Sequence, residues 1–267
     1  MRYGFIGTGN MAQAILEGLS RSNKLSEDQF FAYDIDVNKC KDVAEKYGVH
    51  ICSSAIETVS SSDVLILAVK PNQLDGLLYD LKFEIKKHLP VLVSLPVGIE
   101  IKGIEEKLGF EAPIIRIVAN VNAEVFLSVT ALCGNDMVNE TKKDALDAVI
   151  KLLESIGSVV ELEENYFDIF TVIASSAPAF VIKFSESLAE AALKEGLPKN
   201  TARKIIADMI YGTGKMLSSS NPTEVTDKIC SPGGTTIAGL VGLTAGGFEA
   251  SIHSAAAECM NKLRSNR

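Results

Sequence analysis

The 267-residue sequence lacks several patterns, and each missing pattern argues against a class of protein. It has no Lys/Arg-rich run and carries a formal net charge of -8, which argues against nucleic acid or an anionic membrane as a partner. Its five cysteines are widely spread without a C-x-x-C spacing, so neither a disulfide framework nor a zinc or other metal site is expected. Reduced thiols in a cytoplasm are the simpler interpretation. The three histidines lie outside every motif and are expected to be surface or packing residues; they are His50, His88 and His253.

Long apolar runs are also scarce. The most apolar stretch, residues 169–184, contains Pro178, a serine pair and Lys183, and it is expected to be too short and too interrupted to span a bilayer. A strand-like run starts at Arg2, so no signal peptide is expected. With 47% apolar and 22% charged residues, the composition is that of a globular protein long enough for two domains.

A glycine-rich turn follows the first strand-like run. Residues 2–6 are apolar, and residues 7–12 read Gly-Thr-Gly-Asn-Met-Ala at the start of a helical pattern. This is the G-x-G-x-x-A form of the dinucleotide fingerprint in its required strand, turn and helix context. Gly7 permits the tight turn, Gly9 lets the backbone approach a pyrophosphate, and Ala12 lets the helix pack closely on the strand. The motif predicts dinucleotide binding.

A second strand, residues 30–33, is followed by Asp34. A carboxylate at this position can accept hydrogen bonds from a ribose diol but would repel a 2′-phosphate, which favours NADH over NADPH. The alternative is a solvated loop aspartate, because Asp36 is equally near in sequence and Lys39 and Lys41 could accommodate a phosphate.

Strand-like and helical runs alternate as far as about Glu163. The continuous apolar runs are typical of parallel strands buried on both faces, and they lie at residues 63–69, 91–95 and 113–119. Helices are expected at residues 37–47, 99–108 and 141–156, and a final strand at 159–162. The repeated order predicts an α/β domain with a Rossmann-type, doubly wound parallel sheet over residues 1–163.

Strand signals are missing after Asn165, and an all-helical domain is expected over residues 164–267. Helices are predicted at residues 166–195 and 199–217, and a third has one face marked by Phe248, Ile252, Ala256, Cys259 and Leu263. Helices this apolar in so small a core need further partners. The domain is therefore expected to pack against a second copy, as a homodimer or higher homo-oligomer.

A second turn precedes an apolar helical run near the end of the chain. Residues 231–236 read Ser-Pro-Gly-Gly-Thr-Thr, where Pro232 and the glycine pair force a turn and the threonines offer hydroxyls beside unpaired N–H groups. Such a helix start suits a small carboxylate. An ordinary glycine-rich helix entry is the equally weighted alternative.

Taken together, three segments resemble pyrroline-5-carboxylate reductases along the whole chain. They are Gly-Phe-Ile-Gly-Thr-Gly-Asn-Met-Ala at residues 4–12, Ala-Val-Lys-Pro at 68–71 and Asp-Lys-Ile-Cys-Ser-Pro-Gly-Gly-Thr-Thr-Ile at 227–237. The resemblance implies hydride transfer from NAD(P)H to the imine carbon of a five-membered ring bearing a carboxylate, which yields proline. It also implies a Rossmann domain followed by a helical dimerisation domain.

The resemblance assigns candidate site residues. Those for the cofactor are Gly7, Thr8, Gly9, Asn10, Met11, Asp34, Ala68, Val69, Lys70, Pro71 and Asn120. Those for the substrate are Ser176, Ser231, Gly233, Gly234, Thr235 and Thr236. Thr236 is the candidate catalytic residue, since the family's threonine there hydrogen-bonds the ring nitrogen. A ring imine can be protonated before it binds, so a dedicated histidine acid is unnecessary and alignment is the main task.

Two departures from the family pattern keep alternatives open. Residues 116–122 read Arg-Ile-Val-Ala-Asn-Val-Asn where the family usually has Met-Pro-Asn-Thr-Pro after Arg-x, and residues 175–180 replace two glycines and a tyrosine. A related cyclic imino acid, or a non-catalytic nucleotide-binding role, therefore stays open. A β-hydroxyacid dehydrogenase is disfavoured, because that family carries asparagine four residues after its catalytic lysine and Lys183 is followed at that spacing by Ser187.

Overall fold

The computed structural model describes residues 1–22 and 29–265, and within them the chain forms two compact units, 1–175 and 176–265. The first unit is built on one sheet. Its strands are β1 (Tyr3–Ile6), β2 (Phe30–Tyr33), β3 (His50–Ile51), β4 (Val64–Leu67), β5 (Val91–Ser94), β6 (Ile114–Val118), β7 (Ser128–Gly134) and β8 (Gly157–Glu161). The α-helices of the described residues, in both units, are α1 (Asn10–Arg21), α2 (Val37–Tyr47), α3 (Ala55–Ser60), α4 (Pro71–His88), α5 (Ile101–Leu108), α6 (Asp136–Thr141), α7 (Lys143–Leu153), α8 (Phe167–Phe170), α9 (Ala177–Lys194), α10 (Lys199–Leu217), α11 (Pro222–Ile229), α12 (Thr235–Ala245) and α13 (Phe248–Ser265).

The strand order is β3-β2-β1-β4-β5-β6-β7-β8, and it contains the 3-2-1-4-5-6 arrangement of a Rossmann sheet. Helices cover both faces. The apolar sides of α1, α2 and α7 pack on one face, and those of α3, α4 and α5 pack on the other. The predicted doubly wound α/β fold is confirmed, and strand order reverses between β1 and β4, where such sheets bind dinucleotides.

The sheet is not wholly parallel, which corrects the prediction. β7 was not predicted, and it runs antiparallel to β6 while pairing in parallel with β8. The physical reason is the connection: residues 119–127 hold a 3₁₀ turn, Val121–Val125, which is shorter than the dozen or so residues that a parallel crossover needs. β3 was also missed, because only two of its residues pair.

The second unit is helical, as predicted. α10 has the predicted limits, whereas the long helix expected at residues 166–195 is divided into α8, a π-helical turn (Thr171–Ser176) and α9. Pro178, which has no N–H to donate, lies in the first turn of α9, directly after the π-helical turn. The helix expected at residues 141–156 is the shorter α7, and α6, which precedes it, was not predicted.

The first unit ends at Ser175, whereas the predicted domain boundary falls after Glu163 and stays a prediction. Residues that follow Glu163 belong with the sheet in packing terms. Phe167 and Phe170 are buried against Val118 and Ala131, residues of β6 and β7.

One helical stretch of the described chain, Glu164–Lys194, is long and apolar enough to cross a membrane by length and composition, with a mean hydropathy of 1.5 in its most apolar window. Only 22% of that window is buried. The expectation that the chain does not associate with a membrane stays a prediction.

Candidate active site

The glycine turn at residues 7–9 lies at the C-terminal end of β1, and its two glycines are needed for different reasons. Gly7 has φ +94° and donates from its N–H to Tyr33 O at 2.8 Å, and a Cβ there would lie 2.6 Å from Ala68 O. Gly9 has an ordinary φ of -73°, and a Cβ built on it has no atom within 4 Å. Gly7 is therefore required by the fold, whereas Gly9 keeps open a space that a ligand can enter.

The start of α1 is suited to an anion. Gly9 precedes the helix, no side chain of the described residues caps it, and its first turn contains no acidic residue. The N–H groups of Asn10 and Met11 are therefore available, at the positive end of the helix dipole. Asn10 is exposed and Met11 half-buried. This arrangement can hold a pyrophosphate.

Asp34 is bound to the glycine turn. Its Oδ2 accepts hydrogen bonds from Thr8 N at 2.8 Å and Thr8 Oγ1 at 3.1 Å, and its Oδ1 accepts one from Asp36 N at 3.0 Å. Burial raises the pKa of Asp34, but the hydrogen bonds from Thr8 and Asp36, with Lys39 nearby, bring it below the ordinary value. The carboxylate is therefore ionised at neutral pH. It orders the turn, in addition to any contact with a ribose.

Two residues near Asp34, Asp36 and Cys40, make hydrogen bonds that were not predicted. Asp34 N donates to Cys40 Sγ at 3.2 Å, and Cys40 is buried, with its thiol pKa raised by that burial. Asp36 Oδ1 accepts from Asn38 N at 3.0 Å and so caps α2. The Asp36 cap follows a recognisable sequence rule, whereas the Cys40 contact has no sequence signal.

The Ala-Val-Lys-Pro segment lies at the C-terminal end of β4, beside the glycine turn. Ala68 N donates to Ile6 O at 2.8 Å. Pro71 is the first residue of α4, and the start of this helix is capped by a hydrogen bond from Lys70 N to Gln73 Oε1 at 3.1 Å. Ala68 and Val69 are half-buried and Lys70 is exposed. The structure thus places three predicted cofactor segments at the carboxyl ends of adjacent strands.

Most of the hydrogen-bonding capacity of the Asn120 side chain is occupied within the protein. It is 5% exposed, its Nδ2 donates to Ala174 O at 2.9 Å, and its Oδ1 accepts from Val129 N at 3.3 Å. One amide proton is left for a ligand. Its assignment to the cofactor stays a prediction.

The turn at residues 231–236 belongs to the second unit and starts α12. Gly234 N donates to Ser231 O at 3.0 Å, Gly233 has φ +69°, and a Cβ on Gly234 would overlap Ser231 Oγ. No side chain among the described residues caps α12, so the threonine hydroxyls do not occupy its first N–H groups. Ser231 and Thr235 are exposed and Thr236 is half-buried. Amides and hydroxyls are therefore displayed together, an arrangement that can bind a carboxylate.

Ser176 lies on a different element. It is the last residue of the π-helical turn Thr171–Ser176, just before α9, and it is half-buried. π-helical turns occur frequently at functional sites. Its assignment to the substrate stays a prediction.

A cavity of about 1120 Å³ is lined by none of the predicted site residues. It is a groove with carboxylates that include Glu105, Glu140 and Glu161, together with Cys133. Burial, with Glu164 nearby, raises the pKa of the Cys133 thiol to about 12, so it is no nucleophile at neutral pH. Among the described residues, no group of three or more His, Cys, Asp or Glu could hold a metal ion.

The sheet order, the glycine turn at its reversal point and the uncapped start of α1 define a dinucleotide-binding unit of the kind found in oxidoreductases. Comparison with known proteins agrees. Residues 2–98 match the family described as NADP oxidoreductase, coenzyme F420-dependent, and residues 164–266 match the family described as pyrroline-5-carboxylate reductase dimerisation.

Full-length relatives identify the family. The chain is 34% identical to a pyrroline-5-carboxylate reductase of Aquifex aeolicus over 264 residues, covering 98% of this chain and 94% of the relative. It is 31% identical to the Escherichia coli enzyme of that name, with 98% and 96% covered. The solved structure of a pyrroline-5-carboxylate reductase from Coxiella burnetii superposes with a TM-score of 0.92 at 26% identity, covering 99% and 97% of the two chains. The chain belongs to the pyrroline-5-carboxylate reductase family.

Proposed function

We propose that this protein reduces the imine of 1-pyrroline-5-carboxylate to give L-proline, with a nicotinamide dinucleotide as the reductant. The observation that carries the proposal is the uncapped start of α12, where free amides and the hydroxyls of Ser231, Thr235 and Thr236 are displayed beside a glycine pair. Relatives of this name at 31% to 34% identity over nearly the whole chain support the same reaction. The test is oxidation of NADH or NADPH by the purified protein when 1-pyrroline-5-carboxylate is added.

One helix start would bind the substrate and another would bind the cofactor. The amides at the start of α12 would bind the ring carboxylate, and Thr236 Oγ1 would hydrogen-bond the ring nitrogen, so that the imine carbon is presented in one orientation. The turn at Gly7 and Gly9 and the start of α1 would hold the pyrophosphate. Bound there, the reduced nicotinamide supplies the hydride. The open space at Gly9, which a Cβ would fill, fits such a group.

A related cyclic imino acid is the second candidate, and the loop after β6 favours it. Val121, 55% exposed, and Asn122 stand where the family usually has threonine and proline. A changed loop changes the shape available to a ring substrate if this loop borders the nicotinamide. Comparing kcat/KM for a five-membered and a six-membered ring imino acid separates the two candidates.

We further propose that NADH is preferred over NADPH. The loop after β2 carries the carboxylate of Asp34, which is ionised. One unit of like charge about 5 Å away, at an effective dielectric near 20, costs on the order of 3 kcal/mol. A solved relative from Plasmodium falciparum has NADP bound, so the proposed preference rests on this loop and not on the relatives.

The Asp34→Asn variant tests this proposal. It keeps an oxygen that can accept from Thr8 while removing the charge, so the NADH/NADPH ratio of kcat/KM is expected to fall at least about tenfold. The ratio of the unmodified protein should be constant across neutral pH, because the depressed pKa keeps Asp34 ionised. Asp36→Asn is the matched control, since asparagine still caps α2. A lower Michaelis constant for NADPH in the unmodified protein would refute the preference.

The match to a dimerisation family over residues 164–266 indicates homo-oligomerisation. We propose an obligate homodimer through the helical unit. The supporting observation is α12, an apolar helix none of whose residues is buried within one chain. Exposure of that much apolar surface is unfavourable for a monomer in water.

Light scattering tests the dimer. A mass of two chains or a multiple is expected at micromolar concentration, and a mass of one chain, 28.6 kDa, would contradict the proposal. Val241, 63% exposed on α12, is the position to alter. Val241→Lys should weaken association, because a charge would be buried in an apolar interface. Ser219→Lys, exposed in the loop after α10, should leave the mass unchanged.

We also infer a cytoplasmic location. The five cysteines, Cys40, Cys52, Cys133, Cys230 and Cys259, are all free in the structure, which fits a reducing compartment. The apolar stretch Glu164–Lys194 lies entirely within the dimerisation match, which offers a reason other than a membrane for its hydropathy. The expected lack of nucleic-acid partners rests on the charge of -8 and on the lack of a Lys/Arg-rich run in the sequence.

A further inference from the structure

An ion pair between buried Arg116 and half-buried Glu164 joins the sheet to the chain segment that follows β8. Arg116, on β6, is 2% exposed, and its NH1 donates to Glu164 Oε1 at 2.9 Å while its guanidinium carbon lies 4.8 Å from the ring centre of Phe167. The same Glu164 oxygen accepts from Ile101 N, in the first turn of α5, at 2.8 Å. Glu164 therefore ties its own segment to both β6 and α5.

The pair is not fully satisfied. Arg116 Nε has no hydrogen-bond partner among the described residues, and neither has the buried hydroxyl of Ser94, which stands opposite Arg116 on β5. Buried polar atoms without partners lower stability, and the cost of desolvating a buried charge such as that of Arg116 can exceed what its ion pair returns. Stability alone is thus a poor explanation for the pair.

The segment held by Glu164 reaches the loop after β6. Phe167 and Phe170 are buried, and beyond them Ala174 O accepts from Asn120 Nδ2 at 2.9 Å while Ser175 Oγ donates to Ala119 O at 3.2 Å. Residues 164–175 are therefore fixed at one end to Arg116 and at the other to the loop that begins three residues after Arg116. Residues 164–175 are thus attached both to β6 and to the loop that follows β6.

We propose that Arg116 and Glu164 are positioning residues that hold the loop at residues 119–123 in the geometry needed for hydride transfer. The inference rests on the proposed function, since the family resemblance is what places this loop beside the nicotinamide. Neither residue touches the reacting atoms. They act through residues 164–175 and the two hydrogen bonds to Ala119 and Asn120.

The test compares three variants for kcat, KM, cofactor affinity and hydrogen exchange. Glu164→Ala removes the oxygen that accepts from both Arg116 and Ile101. The kcat is expected to fall about tenfold or more with cofactor affinity within about threefold, because misplacing a loop by a fraction of an ångström impairs alignment. Glu164→Gln keeps one oxygen that can accept a hydrogen bond, so its kcat should lie between that of Glu164→Ala and that of the unmodified protein. Glu163→Gln, an exposed neighbour that contacts Asn165 at 3.4 Å, should match the unmodified protein.

Hydrogen exchange makes the test independent of activity. Peptides covering residues 119–127 should exchange faster in both Glu164 variants, whereas those covering residues 34–40 should not change. A general loss of stability with unchanged kcat and no local change at residues 119–127 would overturn the proposal. If Glu164→Ala does not fold, the same comparison is made with Glu164→Gln.

Ser175→Ala removes one of the two hydrogen bonds at the far end of residues 164–175. Because it and Glu164→Gln act on one segment, the double variant should lower kcat by less than the product of the two single effects. If the double variant lowers kcat by the full product of the two single effects, the two positions act independently, and a shared positioning role is contradicted. If the unmodified protein fails to reduce 1-pyrroline-5-carboxylate, the proposed function fails, but local loosening in the Glu164 variants would still show that the pair positions the loop.

Discussion

Thr236→Ala is expected to lower kcat about ten- to a hundredfold, equivalent to about 1.4 to 2.8 kcal/mol of transition-state stabilisation. The hydroxyl would act on the ring nitrogen of the substrate. The expected loss of folding free energy is below about 1 kcal/mol, because no side chain among the described residues caps α12 and alanine is the better helix former. Steady-state kinetics and a denaturation curve on the same preparation give both numbers.

Thr236→Ser is the matched control for this variant. It keeps the hydroxyl on the half-buried second residue of α12, and kcat should stay close to that of the unmodified protein. Unchanged kinetics in a well-folded Thr236→Ala protein would remove Thr236 from the site.

Gly9→Ala is expected to weaken cofactor binding at least about tenfold while the protein stays folded. A Cβ at Gly9 meets no protein atom within 4 Å and φ is -73°, so the cost to folding should be no more than about 1 kcal/mol, the usual effect of alanine before a helix. The added methyl group would occupy space that the pyrophosphate needs. Fluorescence titration with NADH measures the effect.

Two other glycines calibrate this result. Gly7→Ala should lose stability as well as cofactor binding, because its Cβ would lie 2.6 Å from Ala68 O at φ +94°. Gly76→Ala, within α4 and with open space around it, should be neutral or stabilising and leave affinity unchanged. Undiminished affinity in Gly9→Ala would take the glycine turn out of the cofactor site.

The parts of the fold that were predicted have local signals. The turn at Gly7 combines glycine chemistry with a change from strand to helix periodicity, and α2 and α10 have the limits that their apolar spacing indicates. β7 was missed because a partly exposed strand next to a short connection leaves only a weak pattern. The π-helical turn at Thr171–Ser176 was missed because its apolar composition is that of a continuous helix.

The contacts that organise the candidate site could not be predicted, because they join residues distant in sequence. Thr8 and Asp34 are 26 residues apart, and Arg116 and Glu164 are 48 apart. Periodicity describes neighbours within a few turns of one element, whereas these pairs depend on strand order and on where the chain re-enters the sheet. The sequence suggested Asp34 as a ribose ligand, and only the structure shows that it also binds the glycine turn.

The most direct measurement is the conversion of 1-pyrroline-5-carboxylate by the purified protein, with nicotinamide absorbance and proline followed together. The account predicts one L-proline formed for each NADH oxidised, a higher kcat/KM with NADH than with NADPH, and a higher kcat/KM for this substrate than for its six-membered ring analogue. No oxidation of either cofactor, or faster turnover of the six-membered ring, would contradict it.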